Sequence, residues 1–148
     1  MKTATLCIIA VAALASAGDA ASSEAIYKTQ TELLDTLNAG QATPDMLTSP
    51  ISISDRHRIN LVRRTKAAGA VAHEGFAELH QIVEGAGTLV TGGTIVRQTG
   101  GAGRATIDGG VSRHVQKGEV ILVPPGMPHW YKDLDGSITY LEVRWEEK

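Results

Sequence analysis

Two histidines and a glutamate lie close together between two strand-like segments of the sequence: His73, Glu78 and His80. Four residues, one of them glycine, separate His73 from Glu78, and this spacing fits a β-hairpin with a four-residue loop. In that register His73 faces Glu78 and Val71 faces His80, with Cβ atoms about 5 Å apart on one face. Apolar side chains share this face, so it is predicted to point inward. Polar groups there are costly unless they are paired or bind a metal.

A further histidine follows an apolar strand. The strand, Val120–Val123, ends in a Pro-Pro-Gly turn, and His129 comes three residues after that glycine. Alternate residues of a strand point to the same side, so Tyr131 shares the face of His129. Its hydroxyl could donate a hydrogen bond to a substrate and serve catalysis, or Tyr131 could be a core residue with a satisfied hydroxyl.

These two segments resemble the two sequence motifs of the cupin superfamily. The residues that carry the resemblance, in the spacing of the motifs, are His73, Glu78 and Gly85, and then Gly118, Pro124, Gly126 and His129. The resemblance covers roughly Ile51 to Trp145. It implies metal ligands at His73, Glu78 and His129 on the inner wall of a small β-barrel.

The chain departs from the family pattern at Val71, where the first motif usually has a histidine. His80 is predicted to lie across the ladder from Val71 and could reach the same centre. Two sites are therefore open: a triad of His73, Glu78 and His129, or the same set with His80 as a fourth ligand. His80 could instead be a hydrogen-bonding neighbour of the ligands or of a substrate. The triad leaves positions for water, O2 or a chelating substrate, whereas the larger set suits Fe, Mn, Ni, Cu or Zn.

The resemblance implies a metal-dependent enzyme acting on a small organic substrate by dioxygenase, lyase or isomerase chemistry. Glu78 is then mainly an anionic ligand, and in some family members such a glutamate also acts as a base. The alternatives are a non-catalytic barrel that binds a sugar or organic acid, with His73 and Glu78 as a metal-free polar pair, and a structural barrel that works through a dimer surface. The family often pairs its barrels, so a homodimer is expected.

The elements that must position these residues read as short strands separated by Gly, Pro and Asp. This pattern predicts an all-β fold, and with the resemblance a single antiparallel cupin barrel (a double-stranded β-helix or jelly roll) over residues 51–148. The predicted strands are Ile59–Val62, Ala70–His73, Glu78–Val83, Thr88–Val90, Thr94–Val96, Val120–Val123, Trp130–Tyr131 and Ile138–Val143.

The first 50 residues have a different character. Residues 1–17 combine Lys2, a short apolar stretch and a final Ala-Ser-Ala, which predicts a secretory signal and a secreted or periplasmic protein. Residues 18–50 predict an N-terminal α-helix that starts near Ser22-Ser23-Glu24, ends at Gly40 and packs outside the barrel. Thr43-Pro44-Asp45 could start one more helical turn. The only cysteine, Cys7, lies in the signal, so cysteine catalysis is excluded.

Charge and hydropathy exclude two classes of partner. The 148 residues carry a formal net charge of −2 with both signs mixed along the chain. A nucleic-acid-binding surface normally shows clustered Lys and Arg, so none is predicted. No apolar run reaches the roughly 20 residues that a membrane-spanning helix needs. The expected partner is a small-molecule substrate.

Overall fold

The computed structural model describes residues 24–97 and 104–147. In this part of the chain one α-helix precedes nine β-strands. They are α1 (Gln30–Ala39), β1 (Gln41–Ala42), β2 (Met46–Ile53), β3 (His57–Arg64), β4 (Phe76–Thr91), β5 (Thr94–Val96), β6 (Thr106–Asp108), β7 (Val111–Gln116), β8 (Val120–Val123) and β9 (His129–Glu146). The predicted all-β barrel with an N-terminal helix is confirmed. The predicted signal at residues 1–17 lies outside the described residues.

Two long strands, β4 and β9, organise the barrel. They pair with each other along most of their lengths, and all strand pairs are antiparallel, in the order β1-β2-β3-β9-β4-β7. The other edge of β4 pairs first with β8 and then, further along, with β7. Between these halves lies Gly85, with a φ of 76°. A Cβ at Gly85 would overlap the carbonyl oxygen of Ser137, so this bend requires a glycine.

The helix begins later than the sequence pattern predicted. Residues 24–29 are not helical, and the helix starts after Thr29, whose hydroxyl accepts a hydrogen bond from the backbone N–H of Glu32 at 3.2 Å. The Glu32 carboxylate accepts from the Thr29 backbone N–H at 2.7 Å, which completes a capping box. Gly40 ends the helix as predicted. Buried Leu37 anchors the helix on the outer side of the sheet.

The segment after the helix forms strands instead of another helical turn. The backbone N–H of Thr43 donates to the carbonyl of Met46 at 2.8 Å, which closes a turn between β1 and β2. The prediction of a helical turn at Thr43-Pro44-Asp45 is therefore wrong. Because β2 starts at Met46, strand structure begins before the expected boundary at residue 51.

The predicted hairpin between residues 70–73 and 78–83 is also wrong. Val71 forms an isolated bridge with His129, and the other residues from 65 to 75 lie outside strands. Glu78 lies opposite Val123 of β8 on one side and Arg144 of β9 on the other. A strand has two edges, and both edges of β4 are occupied here. The segment before β4 therefore has no edge to pair with.

The inner face changes from apolar to polar along the barrel. The apolar part is a cluster of buried residues, namely Val62, Ile82, Leu89, Val115, Tyr131, Ile138 and Tyr140. Beyond it, two polar rows cross β3, β9 and β4 in register. The first row is Asn60, Glu142 and His80, and the second is Arg58, Arg144 and Glu78. The candidate site lies at this polar end.

Candidate metal centre

Three of the predicted ligands converge although the predicted hairpin is absent. His73, Glu78 and His129 each offer one ligand atom, and these atoms lie within 4.8 Å of one another. His73 Nε2 is 3.4 Å from Glu78 Oε1, and His129 Nε2 is 3.7 Å from Glu78 Oε2. An ion with bonds of about 2.1 Å places neighbouring ligand atoms about 3 Å apart and opposite ones about 4.2 Å apart. The spacing suits a single metal ion.

Each of the two histidines is held by backbone contacts. His129 begins β9, and its Nδ1 donates to the carbonyl of Met127 at 3.1 Å, which leaves the Nε2 lone pair directed at Glu78. His73 lies in the loop before β4. Its carbonyl accepts hydrogen bonds from the N–H of Gly126 at 3.0 Å and of Phe76 at 3.4 Å. The loop before β4 is thus fastened to the Pro-Pro-Gly turn.

His80 lies near both the Glu78 carboxylate and His129, with its ring centroid 6.0 Å from that of His129. Its Nε2 is 3.3 Å from Glu78 Oε2, and its Nδ1 is 3.2 Å from the hydroxyl of Tyr131. His80 is 2% exposed and groups with Glu78 and Glu142 as a second set of possible ligands. In this arrangement His80 orients the Glu78 carboxylate.

The hydroxyl of Tyr131 points at His80, and its ring belongs to the apolar core. The ring stacks on Tyr140 with centroids 5.2 Å apart. Burial strongly raises the pKa of Tyr131, so the phenol keeps its proton at all ordinary pH values. The catalytic role considered for Tyr131 stays a prediction, and the contact made in this structure is with His80.

The electrostatics put all three converging groups in the state that binds a metal. Burial raises the pKa of Glu78, but the hydrogen bond to His80 and the charges of nearby residues, Arg144 among them, outweigh it and lower the pKa to about 2. Burial lowers the pKa of His73 and of His129, against the opposing effect of Glu78. At neutral pH the site therefore holds an ionised carboxylate and two neutral imidazoles.

One atom of the site lacks the partner that its burial demands. Glu78 is 1% exposed, and among the described residues its Oε1 accepts no hydrogen bond. Arg144 Nε lies 3.4 Å away, and the Arg144 guanidinium donates to His73 Nε2 at 3.1 Å. Glu78 Oε1 therefore lies between one imidazole nitrogen and one guanidinium nitrogen, and His129 Nε2 lies near the other carboxylate oxygen. One carboxylate and two imidazoles are a donor set that fits a divalent metal. The described His/Glu cluster could therefore bind a metal ion.

Sequence reasoning missed the charged residues that surround these ligands. A cavity of about 380 Å³ adjoins His73, and its wall includes Arg58, Arg64, Glu142 and Arg144. The available signal was the alternation of Tyr140, Glu142 and Arg144 along the last strand, with the first of the three in the apolar core. Without the register, nothing in that alternation says which face points inward.

Comparisons with known proteins were informative only at the level of structure. No protein-family model matches the sequence, and no curated protein matches it. Ectoine synthase from P. lautus superposes with a TM-score of 0.60 at 13% identity, over 82% of this chain and 78% of that one. The cupin domain of Cnp3 from Schizosaccharomyces pombe gives 0.54 at 10% identity, over 75% and 67%.

A metal-containing protein is also among the similar structures. FeII HppE gives a TM-score of 0.53 at 12% identity, over 68% of this chain and 50% of that one. The similar structures are cupin-superfamily proteins, and at these identities the likeness concerns the fold. The chain therefore has the fold of the cupin superfamily.

Proposed function

We propose that this protein is a metal-dependent enzyme that holds a divalent ion through His73, Glu78 and His129 and acts on a small organic molecule in the adjoining cavity. The observation that carries the proposal is the buried Glu78 Oε1, which has no hydrogen bond and faces His73 Nε2 at 3.4 Å. The similarity of the fold to that of FeII HppE supports the presence of a metal. The chemistry that we propose for this centre is of the dioxygenase, lyase or isomerase type.

The roles of the residues follow from their contacts. Glu78 supplies the negative charge, His129 is oriented by the Met127 carbonyl, and His80 contacts Glu78 Oε2, the carboxylate oxygen that His129 also faces. We favour the triad over four ligands because the ligand atoms of His73, Glu78 and His129 form one set within 4.8 Å, to which His80 does not belong. A bound ion would supply Lewis-acid activation of a substrate oxygen. The cavity beside His73 would hold the substrate against that centre.

A second candidate function has its own supporting observation. Arg144 lies 3.4 Å from Glu78 and donates to His73, so a positive charge already neutralises the carboxylate without a metal. The same barrel could then be a metal-free protein that binds a sugar or an organic acid. The two candidates differ in metal content.

Elemental analysis of protein purified without a histidine tag decides between them. The enzyme proposal expects about one equivalent of Fe, Mn, Ni, Cu or Zn per chain, lost in His129→Ala. The matched control is His114→Ala, because His114 is an exposed histidine paired with Asp135 at 2.9 Å; this variant should keep the metal. A folded wild-type protein that holds no metal after incubation with each of these ions would establish the binding-protein alternative.

We also propose that the chain is exported and forms a homodimer. The proposal of export is based on the signal-like residues 1–17. The proposal of a homodimer is based on the frequent pairing of barrels in the cupin superfamily. Amino-terminal sequencing of the mature protein should begin at Gly18, and light scattering should give twice the mass of the mature chain. An uncleaved terminus in a host with a signal peptidase, or a monomer mass, would remove the respective proposal.

A further inference from the structure

The cavity of about 380 Å³ beside the candidate centre has a predominantly cationic wall. Three arginines, Arg58, Arg64 and Arg144, line it together with His73, and Glu142 is the one acidic residue in the lining. Its volume lies in the range of small-molecule sites, which is about 300–1,000 Å³. The charges of this wall therefore bear on what the cavity would accept.

Two of these arginines face each other across neighbouring strands. Arg58 of β3 is the direct register partner of Arg144 of β9, so both side chains lie on the same face of the sheet. Like charges directly opposite each other are destabilising. Arg63, which alternation places on the outer face, is instead paired with Glu84 at 3.3 Å. The inner arginines thus carry an electrostatic cost that the outer one avoids.

The acidic residue of the wall is already engaged. Glu142 accepts a hydrogen bond from the Asn60 side-chain amide at 3.1 Å and lies 3.7 Å from Arg144. Arg144 is also matched by Glu78 at 3.4 Å. Both carboxylates near the cavity, Glu78 and Glu142, thus contact Arg144, and the three arginines still exceed them by one positive charge.

Among the described residues, Arg64 and Arg58 have no anionic partner. Arg64 Nε donates to the hydroxyl of Tyr140 at 2.9 Å, and its guanidinium lies 5.6 Å from the ring centroid of Tyr131. Both contacts hold the side chain in place without cancelling its charge. For the Arg58 side chain, the described part of the chain provides neither a hydrogen bond nor an ion pair. Guanidinium groups present forks of N–H donors that match oxyanions.

We propose that this cavity binds a small organic oxyanion, a carboxylate or a phosphate ester, which Arg58 and Arg64 hold by charge-assisted hydrogen bonds. The inference rests on the proposed function and deepens it, because the anion would be held next to His73 and hence beside the metal candidate. A neutral sugar is disfavoured, since it would leave the excess positive charge of the three arginines over Glu78 and Glu142 unmatched.

Isothermal titration calorimetry of the as-purified full-length protein at low ionic strength tests the inference. The probes are malonate for a carboxylate, glycerol phosphate for a phosphate ester, and malonamide as a neutral analogue of malonate. We expect binding of malonate or glycerol phosphate, with the stronger of the two identifying the anion class, and no binding of malonamide. Added NaCl should weaken the binding.

Variants assign the binding to the cavity. Arg58→Gln should weaken it at least tenfold, and this exposed side chain has no contact whose loss would unfold the protein. Arg64→Gln should do the same, with Arg64→Lys as a charge-conserving variant at the position that contacts Tyr140. Arg113→Gln is the matched control, because Arg113 is exposed on β7 and outside this cavity; it should bind like the wild type.

Absence of binding by the wild type, or equal binding by the Arg58→Gln and Arg64→Gln variants and the wild type, overturns the inference. Equal binding would place the anion elsewhere, for example on the metal alone. Metal content measured on the same preparations separates the two proposals. Stoichiometric metal without arginine-dependent anion binding leaves the proposed function standing and removes this inference. A metal-free protein that binds the anion through Arg58 removes the enzyme proposal and keeps the anion site.

Discussion

Glu78 should make the metal-free protein sensitive to acid. Its pKa is about 2 in the folded protein against an ordinary value of 4.5. A pKa difference of about 2.5 corresponds to about 3 kcal/mol in the free energy of unfolding, at about 1.4 kcal/mol per pKa unit. Burial works against this stabilisation, and the contacts with His80 and Arg144 contribute to it.

The direction of the effect follows from which state binds the proton more tightly. The unfolded chain takes up the Glu78 proton near pH 4.5, and the folded protein does so only near pH 2. The contribution of ionised Glu78 is therefore complete above about pH 5, and it falls as the pH drops and is lost below about pH 2.

Urea denaturation of chelator-treated protein measures this contribution. The difference in unfolding free energy between the wild type and Glu78→Gln should change by about 3 kcal/mol, to the disadvantage of the wild type, as the pH falls from about 5 to about 2. Glu74→Gln, which alters an exposed carboxylate beside the same loop, should show no such change. A wild-type-minus-Glu78→Gln difference that stays constant across this range would refute the electrostatic account of the site.

Three further predictions concern the ligands and the bend in β4. His80→Val should weaken the affinity for Cu²⁺ about 10- to 100-fold, because the Glu78 carboxylate loses the contact that orients it. Pulsed EPR should count two coordinated imidazoles in both the variant and the wild type. A count of three in the wild type would make His80 a ligand. Burial lowers the pKa of His73 from its ordinary value of 6.5, so His73 stays neutral as the pH falls to that value. Metal affinity measured by chelator competition should therefore stay constant from about pH 8 down to below pH 6.5, and a steep fall that begins above about pH 7 would contradict this. Gly85→Ala should lower the free energy of unfolding by about 2–4 kcal/mol, and Gly136→Ala should lower it by about 1 kcal/mol. Both glycines have a positive φ, but of the two only Gly85 lacks room for a Cβ. Equal losses of stability in urea denaturation would contradict the steric argument.

The strands were predictable where their residues are apolar and bounded by turn residues. The predicted strands Thr94–Val96 and Val120–Val123 match β5 and β8. The predicted runs 78–83 and 88–90 proved to be one strand, β4, because Gly85 bends it without ending it. The strand β7 was missed, since five of its six residues are exposed and leave no apolar run to detect.

The ligands and their arrangement were predictable to different degrees. The resemblance to the cupin motifs implied a common centre at His73, Glu78 and His129, and the structure brings these three together. The reason offered for it, a direct hairpin, was wrong. Residue spacing constrains the length of a loop, but it does not determine which strands pair with the two edges of β4. Those edges pair with β8 and β9, which come from much later in the chain.

The amino-acid sequence by itself determined an antiparallel β fold and the identity of three possible ligands, because strand alternation, glycine turns and motif spacing are local properties of the chain. Only the tertiary structure decided that His80 faces the Glu78 carboxylate and that the cavity wall is cationic. Asn60 and Glu142 stand 82 positions apart and meet in one hydrogen bond. Contacts of this kind depend on the register between β3, β9 and β4, which is set by the packing of the whole barrel and not by any segment alone.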